Sequence, residues 1–313
     1  MLKYQNQLKN AFLDGIKKGW NTFLWMCKIV VPISLVVTLL QWTGWLNQLY
    51  IWLNPLMGLL DLPPEAMLPI VSGMLINNYA VIAIMTVIPF TAAQMTMIAI
   101  FSLIAHNLIM EGIVQHKSGI SVVKINIFRI IAAILTVFII SQFMGDTSQR
   151  VVMPISLTTS SPILEVLKTW AIDTIYLLLK ILGIIIAIMI AQESLKSLGW
   201  LDYITGLFRS FMKVMGLSRK TTLIWLTAAV FGLLYGSAVI INEAKRGTLT
   251  KDELDYIHLS IGINHALIED PFLFAVLGLN LFWLWIPRFI TAIVAVHLYR
   301  LIKLLRYKLL PQT

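Results

Sequence analysis

Two histidine-containing segments in this chain share one design. Ala105-His106-Asn107-Leu108-Ile109-Met110-Glu111-Gly112 ends in a carboxylate followed by a glycine, and Asn264-His265-Ala266-Leu267-Ile268-Glu269-Asp270-Pro271 ends in two carboxylates followed by a proline. Both segments are apolar around these groups, and ionisable residues inside apolar spans usually face a bundle interior or a solute pathway. Imidazole and carboxylate groups in such a place could bind a borderline divalent cation, a coupling ion or a charged substrate.

An arginine follows each motif at the same distance. Glu111 and Arg129 are 18 residues apart, as are Asp270 and Arg288, across the turn between two consecutive predicted helices. One interpretation is a structural ion pair that clamps neighbouring helices in each half of the chain. The other is that these groups, with Glu269, line a path and bind a coupling ion or substrate; the spacing leaves both open.

The histidines and amides also have two interpretations. His106 and His265 could be core histidines hydrogen-bonded to a facing helix, or they could form a metal site together with the carboxylates. His258 lies seven residues before His265 on the same helix face, which favours the metal site. Asn77 and Asn78 interrupt an apolar segment, and buried amides need hydrogen-bond partners. We therefore predict first that Asn77 and Asn78 contact a substrate.

The spacing of 159 residues relates much more of the chain than the histidine motifs. Gly73 corresponds to Gly232, and Thr91-x-x-Gln94 corresponds to Thr250-x-x-Glu253, each a capping box that predicts a helix start. The chain is therefore predicted to contain two copies of one unit, at 22–145 and 163–305. A Lys-rich amphipathic lead (1–21), a Ser/Thr/Pro-rich external linker (146–162) and a cytoplasmic tail (306–313) complete it.

Composition predicts an all-α integral membrane protein. Hydrophobic residues make up 58% of the chain and charged residues 12%, with a mean hydropathy of +0.84. The net charge of +9 comes from Lys and Arg that flank apolar segments. The sequence contains no basic stripe interleaved with aromatic residues, so we predict no nucleic-acid partner. The single Cys27 excludes an intramolecular disulfide. No Ser/His/Asp or HExxH constellation occurs, so we predict neither an enzyme nor a cofactor.

The distribution of Lys and Arg bears on topology. Each copy has three segments long enough to span a membrane, one interfacial stretch (43–59 or 197–216), and one segment, 64–89 or 221–242, that could span or form a re-entrant hairpin. If both segments span, seven Lys and Arg residues fall in external loops; if both are re-entrant, the external loops contain only Arg150. The positive-inside tendency favours hairpins and cytoplasmic termini. Three spans per copy make the second copy inverted, as in many transporters.

The entries to the two hairpins resemble a known domain. Met57-Gly58-Leu59-Leu60-Asp61-Leu62-Pro63-Pro64-Glu65 with Gly73, and Met215-Gly216-Leu217-Ser218 with Gly232, resemble the Gate or nucleoside-recognition domain. That family includes spore maturation proteins A and B, and its domain recurs in concentrative nucleoside transporters and in the membrane part of bacterial ferrous-iron transporters.

The resemblance implies a spanning helix, an interfacial helix, a re-entrant hairpin, a broken helix and a further helix in each copy. It also implies that substrate contacts the hairpin tips and the broken helices. These positions are Asn77, Asn78, Gly236 and Ser237 at the tips, and His106, Asn107, Glu111, Asn264, His265, Glu269 and Asp270 at the breaks. The chain departs from the nucleoside transporters in having no close match to their substrate-binding residues. It also lacks the cysteine gate motif and GTPase domain of the iron transporters.

The sequence thus predicts a secondary transporter of a small polar solute, nucleoside-like by resemblance, in the cell (inner) membrane. Its partners would be the lipid bilayer and a small polar solute or cation, and a homo-oligomer is compatible with the sequence. The alternatives are a divalent-metal permease, with His106 and His265 as ligands, and a membrane scaffold for envelope or spore maturation that transports nothing.

Overall fold

A computed structural model describes residues 2–45, 57–144 and 162–309. In chain order its helices are α1 Leu2–Trp42, α2 Met67–Leu75, α3 Asn78–Met85, α4 Ala92–Ala105, α5 Leu108–Lys117, α6 Val122–Ser141, α7 Ile163–Ser197, α8 Trp200–Phe208, α9 Phe211–Val214, α10 Thr222–Tyr235, α11 Ser237–Lys245, α12 Lys251–Asn264, α13 Glu269–Ala275 and α14 Leu281–Leu309. Short 3-10 turns at Pro64–Ala66 and Arg219–Thr221 precede α2 and α10.

The first helix of each half packs against the other along most of its length. Gly15 of α1 approaches Ile190 of α7, and Gly19 approaches Ile186, so closely that a Cβ atom on either glycine would lie 2.6 or 3.0 Å from the isoleucine Cα. Further along, Trp170 donates a hydrogen bond to Ser34 at 3.1 Å. Because the residue number rises on α1 while it falls on α7, the two helices are antiparallel.

This packing explains why the predicted lead at 1–21 is not a separate element. Helix α1 runs without interruption for 41 residues, about 60 Å at 1.5 Å per residue. Ala11, Gly15 and Gly19 form a buried stripe of small residues at four-residue spacing, so the Lys-rich segment stays helical where it packs on α7. The predicted tail also begins as helix, because α14 continues to Leu309.

Two short helical hairpins occupy the positions that the sequence left undecided. Helices α2 and α3 turn at Ile76 and Asn77, and a Cβ atom on Gly73 would lie only 2.7 Å from Val81 Cγ2 although eight residues separate them. A straight helix would hold these residues about 12 Å apart. The second turn lies between Gly232 and Gly236, where Gly232 leaves the helical conformation (φ 76°, ψ 173°).

Each histidine motif lies where a helix is interrupted. Helix α4 starts at the predicted Thr91/Gln94 capping box and ends at Ala105, and α5 starts three residues later at Leu108. Helix α12 starts at the predicted Thr250/Glu253 capping box, ends at Asn264, and is followed by α13 from Glu269. The reciprocal hydrogen bonds have the same lengths in both boxes, 2.9 and 3.2 Å.

Five helical stretches of the described chain are long and apolar enough to cross a membrane. They are Gln5–Trp42, Ala92–Lys117, Val122–Ser141, Ile163–Ser197 and Leu281–Arg306. The sixth span that the sequence predicted, through the second histidine motif, is not among them. There α12 and α13 have 14 and 7 residues and are separated by four residues, whereas only two residues separate α4 from α5 within Ala92–Lys117. Most of the predicted interfacial stretch at 43–59 and nearly all of the linker at 146–162 lie outside the described residues.

Candidate functional site

The two helix breaks have the same backbone geometry. His106 and His265 are extended (φ −89° and −85°), and the next residues, Asn107 and Ala266, both have φ 46° in the left-handed region. Such conformations are unfavourable for residues other than glycine, so the surroundings must hold them in place. The hairpins do so through backbone hydrogen bonds: Asn107 N–H donates to Gly73 O at 2.9 Å, and Ala266 N–H donates to Ala228 O at 2.9 Å.

Two fully buried arginines satisfy the carbonyl groups that the breaks leave without helical partners. Arg129 on α6 donates to Ile104 O at 2.8 Å and to His106 O at 2.9 Å. Arg288 on α14 donates in the same way to Ile263 O and His265 O, both at 2.8 Å through Nη2. A cation at the C-terminal end of a helix is also favoured by the helix dipole. The arginines therefore cap α4 and α12 where these helices end inside the protein.

Of the two predicted ion pairs, the structure forms one. Arg129 Nη2 lies 2.8 Å from Glu111 Oε2, and both side chains are buried. In the described part of the chain no carboxylate oxygen lies within 4 Å of a nitrogen of Arg288, so the predicted Asp270–Arg288 contact is absent. Helix α13 starts at Glu269, two positions later in its motif than α5 starts in the first motif. Asp270 therefore lies beside His106, the histidine of the other motif, and not beside Arg288.

The two histidines meet across the interface between the halves. Each ring turns its Nδ1 toward the carbonyl four residues earlier, at 2.8 Å to Ser102 O for His106 and at 2.9 Å to Ile261 O for His265. Each Nε2 therefore points away from its own helix, and the two Nε2 atoms lie 3.4 Å apart. A backbone carbonyl accepts a hydrogen bond only, so both Nδ1 atoms carry a proton.

Carboxylates surround these two nitrogens. Asp270 Oδ2 lies 3.4 Å from His106 Nε2, Glu111 Oε1 lies 3.3 Å from the same atom, and Glu111 Oε2 lies 3.2 Å from His265 Nε2. Glu269 faces the first hairpin, where Tyr79 donates a hydrogen bond to its Oε1 at 2.9 Å. The result is a buried cluster of imidazoles and carboxylates built from both helix breaks.

The cluster borders a cavity of about 400 Å³. Its lining contains side chains from α1, both hairpins and both breaks: Trp25, Asn77, Asn78, Tyr79, His106, Asn107, Glu111, Phe231, Gly232, Leu233, Leu234, His265, Ala266, Glu269 and Asp270. We refer to it as the central cavity. A larger cavity of about 820 Å³ lies beside Lys18, Glu193 and Lys196; of the residues in 2–45, 57–144 and 162–309, it shares Trp25 and Phe231 with the central cavity.

Three buried side-chain atoms on the wall of the central cavity have no regular hydrogen bond: Glu111 Oε2, which is paired with Arg129 instead, Asn78 Nδ2 and Asp270 Oδ2. Asn78 uses its Oδ1 to accept from Ser102 at 2.6 Å, and its buried Nδ2 makes no regular hydrogen bond but interacts with the carboxylate of Asp270. Asp270 Oδ2 likewise makes no regular hydrogen bond, although it lies near His106. Buried polar groups without partners are rare and call for an explanation such as a ligand or a functional role. The cavity thus offers one donor and one acceptor to an occupant.

The structure brings together most, but not all, of the predicted site residues. Asn77, Asn78, Asn107, both histidines and the three carboxylates line the central cavity, while the arginines lie behind it. Gly236 lines the larger cavity instead, and Ser237 lines neither, because the second hairpin turns at Gly232 and reaches the centre with Gly232, Leu233 and Leu234. Asn264 is buried outside the lining, and both its amide atoms lack partners.

His258 is also separate from the cluster. Its Nε2 contacts Ser118 O at 3.2 Å, and its backbone carbonyl accepts from Gln115 at 3.0 Å, so it connects α12 to α5. Seven lining residues were not predicted as site residues from the sequence: Trp25, Tyr79, Phe231, Gly232, Leu233, Leu234 and Ala266. Tyr79 directly follows Asn77-Asn78 and could have been found from that neighbourhood. No local pattern points to Trp25 or Phe231, since both are aromatics in apolar helices.

Comparison with known proteins supports the membrane assignment. No family model matches the chain, and no solved structure matches it. The chain is similar to a protein of Bacillus subtilis (strain 168) described as uncharacterized membrane protein YvoD: 29% of positions are identical over 289 residues, which cover 91% of this chain and 93% of that relative. The chain is a membrane protein. The resemblance to the Gate domain remains a prediction from the motifs.

Proposed function

We propose that this protein is a multi-pass transporter that moves a small polar solute through the central cavity. The observation that carries the proposal is the cavity itself, where buried polar groups without regular hydrogen bonds, Asn78 Nδ2 and Asp270 Oδ2, lie at helix breaks inside a membrane protein. Half-helices that end at such a cavity are a recurrent way of building a transporter site. A purely structural membrane partner has no need of a polar cavity at these breaks.

We further propose that the two copies form an inverted repeat with re-entrant hairpins. Equivalent helices of the two halves lie antiparallel, as shown by the contacts of α1 with α7. Helices α6 and α14 do the same, because Thr136 lies 2.8 Å from Thr291 while Lys124, earlier on α6, lies 2.8 Å from Tyr299, later on α14. Antiparallel packing of equivalent helices is what an inverted repeat requires. With the positive-inside distribution, it supports cytoplasmic termini in the cell (inner) membrane.

Trp25 and Phe231 are the proposed gate of the pathway. Among the described residues, they are the only two that line both cavities, and the larger cavity lies at the Lys18 and Lys196 end of α1 and α7. A solute in the central cavity would therefore reach that end past the two aromatic side chains. Movement of the second hairpin, which carries Phe231, relative to α1 would open or close this route. The proposal assigns the protein no catalytic activity.

Uptake into proteoliposomes tests the proposal. The purified protein is first screened by thermal shift against nucleosides, nucleobases, small anions and divalent metals, since a ligand at 100 times its dissociation constant adds about 2.7 kcal/mol of stability. Each compound that raises the melting temperature is then assayed for uptake. We expect at least one to be transported, and we expect Asn78→Ala to abolish its uptake while the folded protein stays abundant.

Asn10→Ala is the matched control, because Asn10 is an exposed amide on α1 away from both cavities. Uptake by this variant should equal that of the unchanged protein. If no compound stabilises the protein or enters the vesicles, or if Asn78→Ala only lowers the amount of folded protein, the transporter proposal is wrong and the scaffold alternative takes its place.

A further inference from the structure

We infer that His106, His265 and Asp270 form a binding site for a divalent first-row transition-metal ion, and that this ion is the solute. The second part rests on the proposed transport function, whereas the binding site itself does not. The sequence resemblance points first toward a nucleoside-like solute and only secondly toward a divalent metal. The choice between them comes from the arrangement of atoms at the contact between the two helix breaks.

The first step is the protonation of the two imidazoles. Both Nδ1 atoms donate to backbone carbonyls, so in the neutral rings both Nε2 atoms carry a lone pair. These lone pairs face each other at 3.4 Å in a fully buried place. Two facing lone pairs repel each other unless a cation lies between them. A carbonyl that fixes Nδ1–H is also the usual outer partner of a metal-bound histidine.

The second step is the distance between the candidate ligand atoms. Around a tetrahedral metal with bonds of about 2.0–2.1 Å, neighbouring ligand atoms lie roughly 3.3–3.4 Å apart. His106 Nε2 lies 3.4 Å from His265 Nε2 and 3.4 Å from Asp270 Oδ2. The ligand atoms of all three residues lie within 4.8 Å of one another. An ion therefore fits with only a small movement of the Asp270 side chain.

The third step is charge. The buried cluster contains three carboxylates, Glu111, Glu269 and Asp270, and two guanidinium groups, Arg129 and Arg288. With these five groups ionised and both imidazoles neutral, the formal charge is −1, which favours a cation over an anion. Asp270 is the carboxylate that makes no regular hydrogen bond at Oδ2 and has no ion pair with an arginine, so a metal would satisfy it.

The fourth step is the class of metal. Two imidazoles and one carboxylate suit zinc, iron(II), cobalt, nickel or manganese, whereas calcium and magnesium prefer oxygen ligands. Cys27 is half-buried on α1 and is not among the residues that line the central cavity, so a thiolate does not contribute. Three protein ligands leave a coordination position open toward the cavity. An incompletely coordinated ion can exchange with water and leave again, as transport requires.

Direct metal binding tests the inference without reference to transport. The protein is purified without a polyhistidine tag and titrated with cobalt(II), whose visible absorption reports the geometry and ligands of the ion, and with zinc(II) by calorimetry. We expect one ion per chain and a cobalt spectrum typical of four-coordinate nitrogen and oxygen ligands. We expect the His106→Ala/His265→Ala double variant to lose binding by at least about 100-fold.

Asp270→Asn keeps the shape of the side chain and removes its charge, so it remains informative if the double histidine variant does not fold. We expect it to weaken binding by about 10- to 100-fold. His297→Ala is the matched control, because His297 contacts Val214 O away from the cavity, and it should bind metal unchanged. Absence of stoichiometric binding, or binding that survives both Asp270→Asn and the double histidine variant, would show that the two Nε2 atoms share a proton instead.

Uptake of the metal into proteoliposomes that contain a metal-sensitive dye separates the two proposals. If metal binds at this site but does not enter the vesicles, the binding site is supported and the proposal that the metal is the solute is contradicted. Nucleoside uptake without metal binding contradicts the metal site and supports the transporter. Uptake of metal that is lost in Asp270→Asn and kept in His297→Ala supports both.

Discussion

The arginines behind the helix breaks allow a sharp test, because the chain contains its own matched control. Arg129 and Arg288 are both fully buried and donate to equivalent pairs of carbonyl groups. They differ in that Arg129 also forms an ion pair with Glu111 at 2.8 Å. Replacement by methionine, which has a similar length, removes the carbonyl contacts in both cases. In Arg129→Met alone, a buried carboxylate also loses its partner.

The difference between the two variants can be estimated from this geometry. Two carbonyl groups lose a charged donor in each variant, at about 1.5–3 kcal/mol for each hydrogen bond, and these losses largely cancel in the comparison. Breaking one side of a buried ion pair costs about 3–5 kcal/mol. Glu111 keeps His106 Nε2 at 3.3 Å, which favours the low end of this range. We expect Arg129→Met to be less stable than Arg288→Met by about 3 kcal/mol.

The assay is the melting temperature of the purified variants in one detergent. At roughly 2–4 °C for each kcal/mol in a domain of 150–250 residues, the two variants should differ by about 6 °C or more. Adding Glu111→Gln to Arg129→Met should recover most of this difference, because it removes the uncompensated charge. The reasoning holds that an arginine neutralises Glu111 but not Asp270. Equal melting temperatures for the two arginine variants, or no recovery with Glu111→Gln, would refute it.

Two further predictions concern glycines, with Gly183→Ala as the control for both because nothing lies within 4 Å of a Cβ atom at that position of α7. Gly15→Ala should destabilise the protein by about 1–3 kcal/mol, because the added Cβ would lie 2.6 Å from Ile190 Cα. A melting temperature equal to that of Gly183→Ala would show that α1 and α7 are not in close contact. Gly232→Ala should also lower the free energy of unfolding by about 1–3 kcal/mol, because φ 76° with ψ 173° is a conformation that only glycine adopts readily. Crowding is not the cause here, since the nearest atom to the added Cβ is 3.5 Å away. An unchanged melting temperature and unchanged uptake in Gly232→Ala would mean that the second hairpin does not need this turn.

The features that the sequence predicted correctly are local. The capping boxes at Thr91 and Thr250 form because the interaction spans only three residues, so the pattern contains everything that the structure needs. The convergence of His106 and His265 was also accessible, since a spacing of 159 residues places them at equivalent points of two copies.

The features that the sequence did not predict depend on packing between distant segments. Glu111 and Asp270 precede their arginines by the same 18 residues, yet only Glu111 forms the ion pair, because α5 and α13 start at different places within their motifs. Trp25 lines the central cavity where α1 meets the first hairpin, with its ring 5.9 Å from that of Tyr79, and no pattern near Trp25 in the sequence indicates this contact. Gly236 was expected to line the central cavity but lines the larger one. The chain turns at Gly232, four residues before Gly236, so Gly232 reaches the centre in its place.

The pattern of agreement and difference between the two halves itself indicates where function lies. The halves share the capping boxes at the starts of α4 and α12. They also share the left-handed residue after each histidine and the capping arginine, which lie at the helix breaks. The halves differ at the cavity wall: Asn78 in the first hairpin corresponds to Ser237 in the second, and the neutralised Glu111 corresponds to the open Asp270. These two differences give one half a carboxylate without an arginine partner and an amide without a regular hydrogen bond, and an occupant of the cavity would use both.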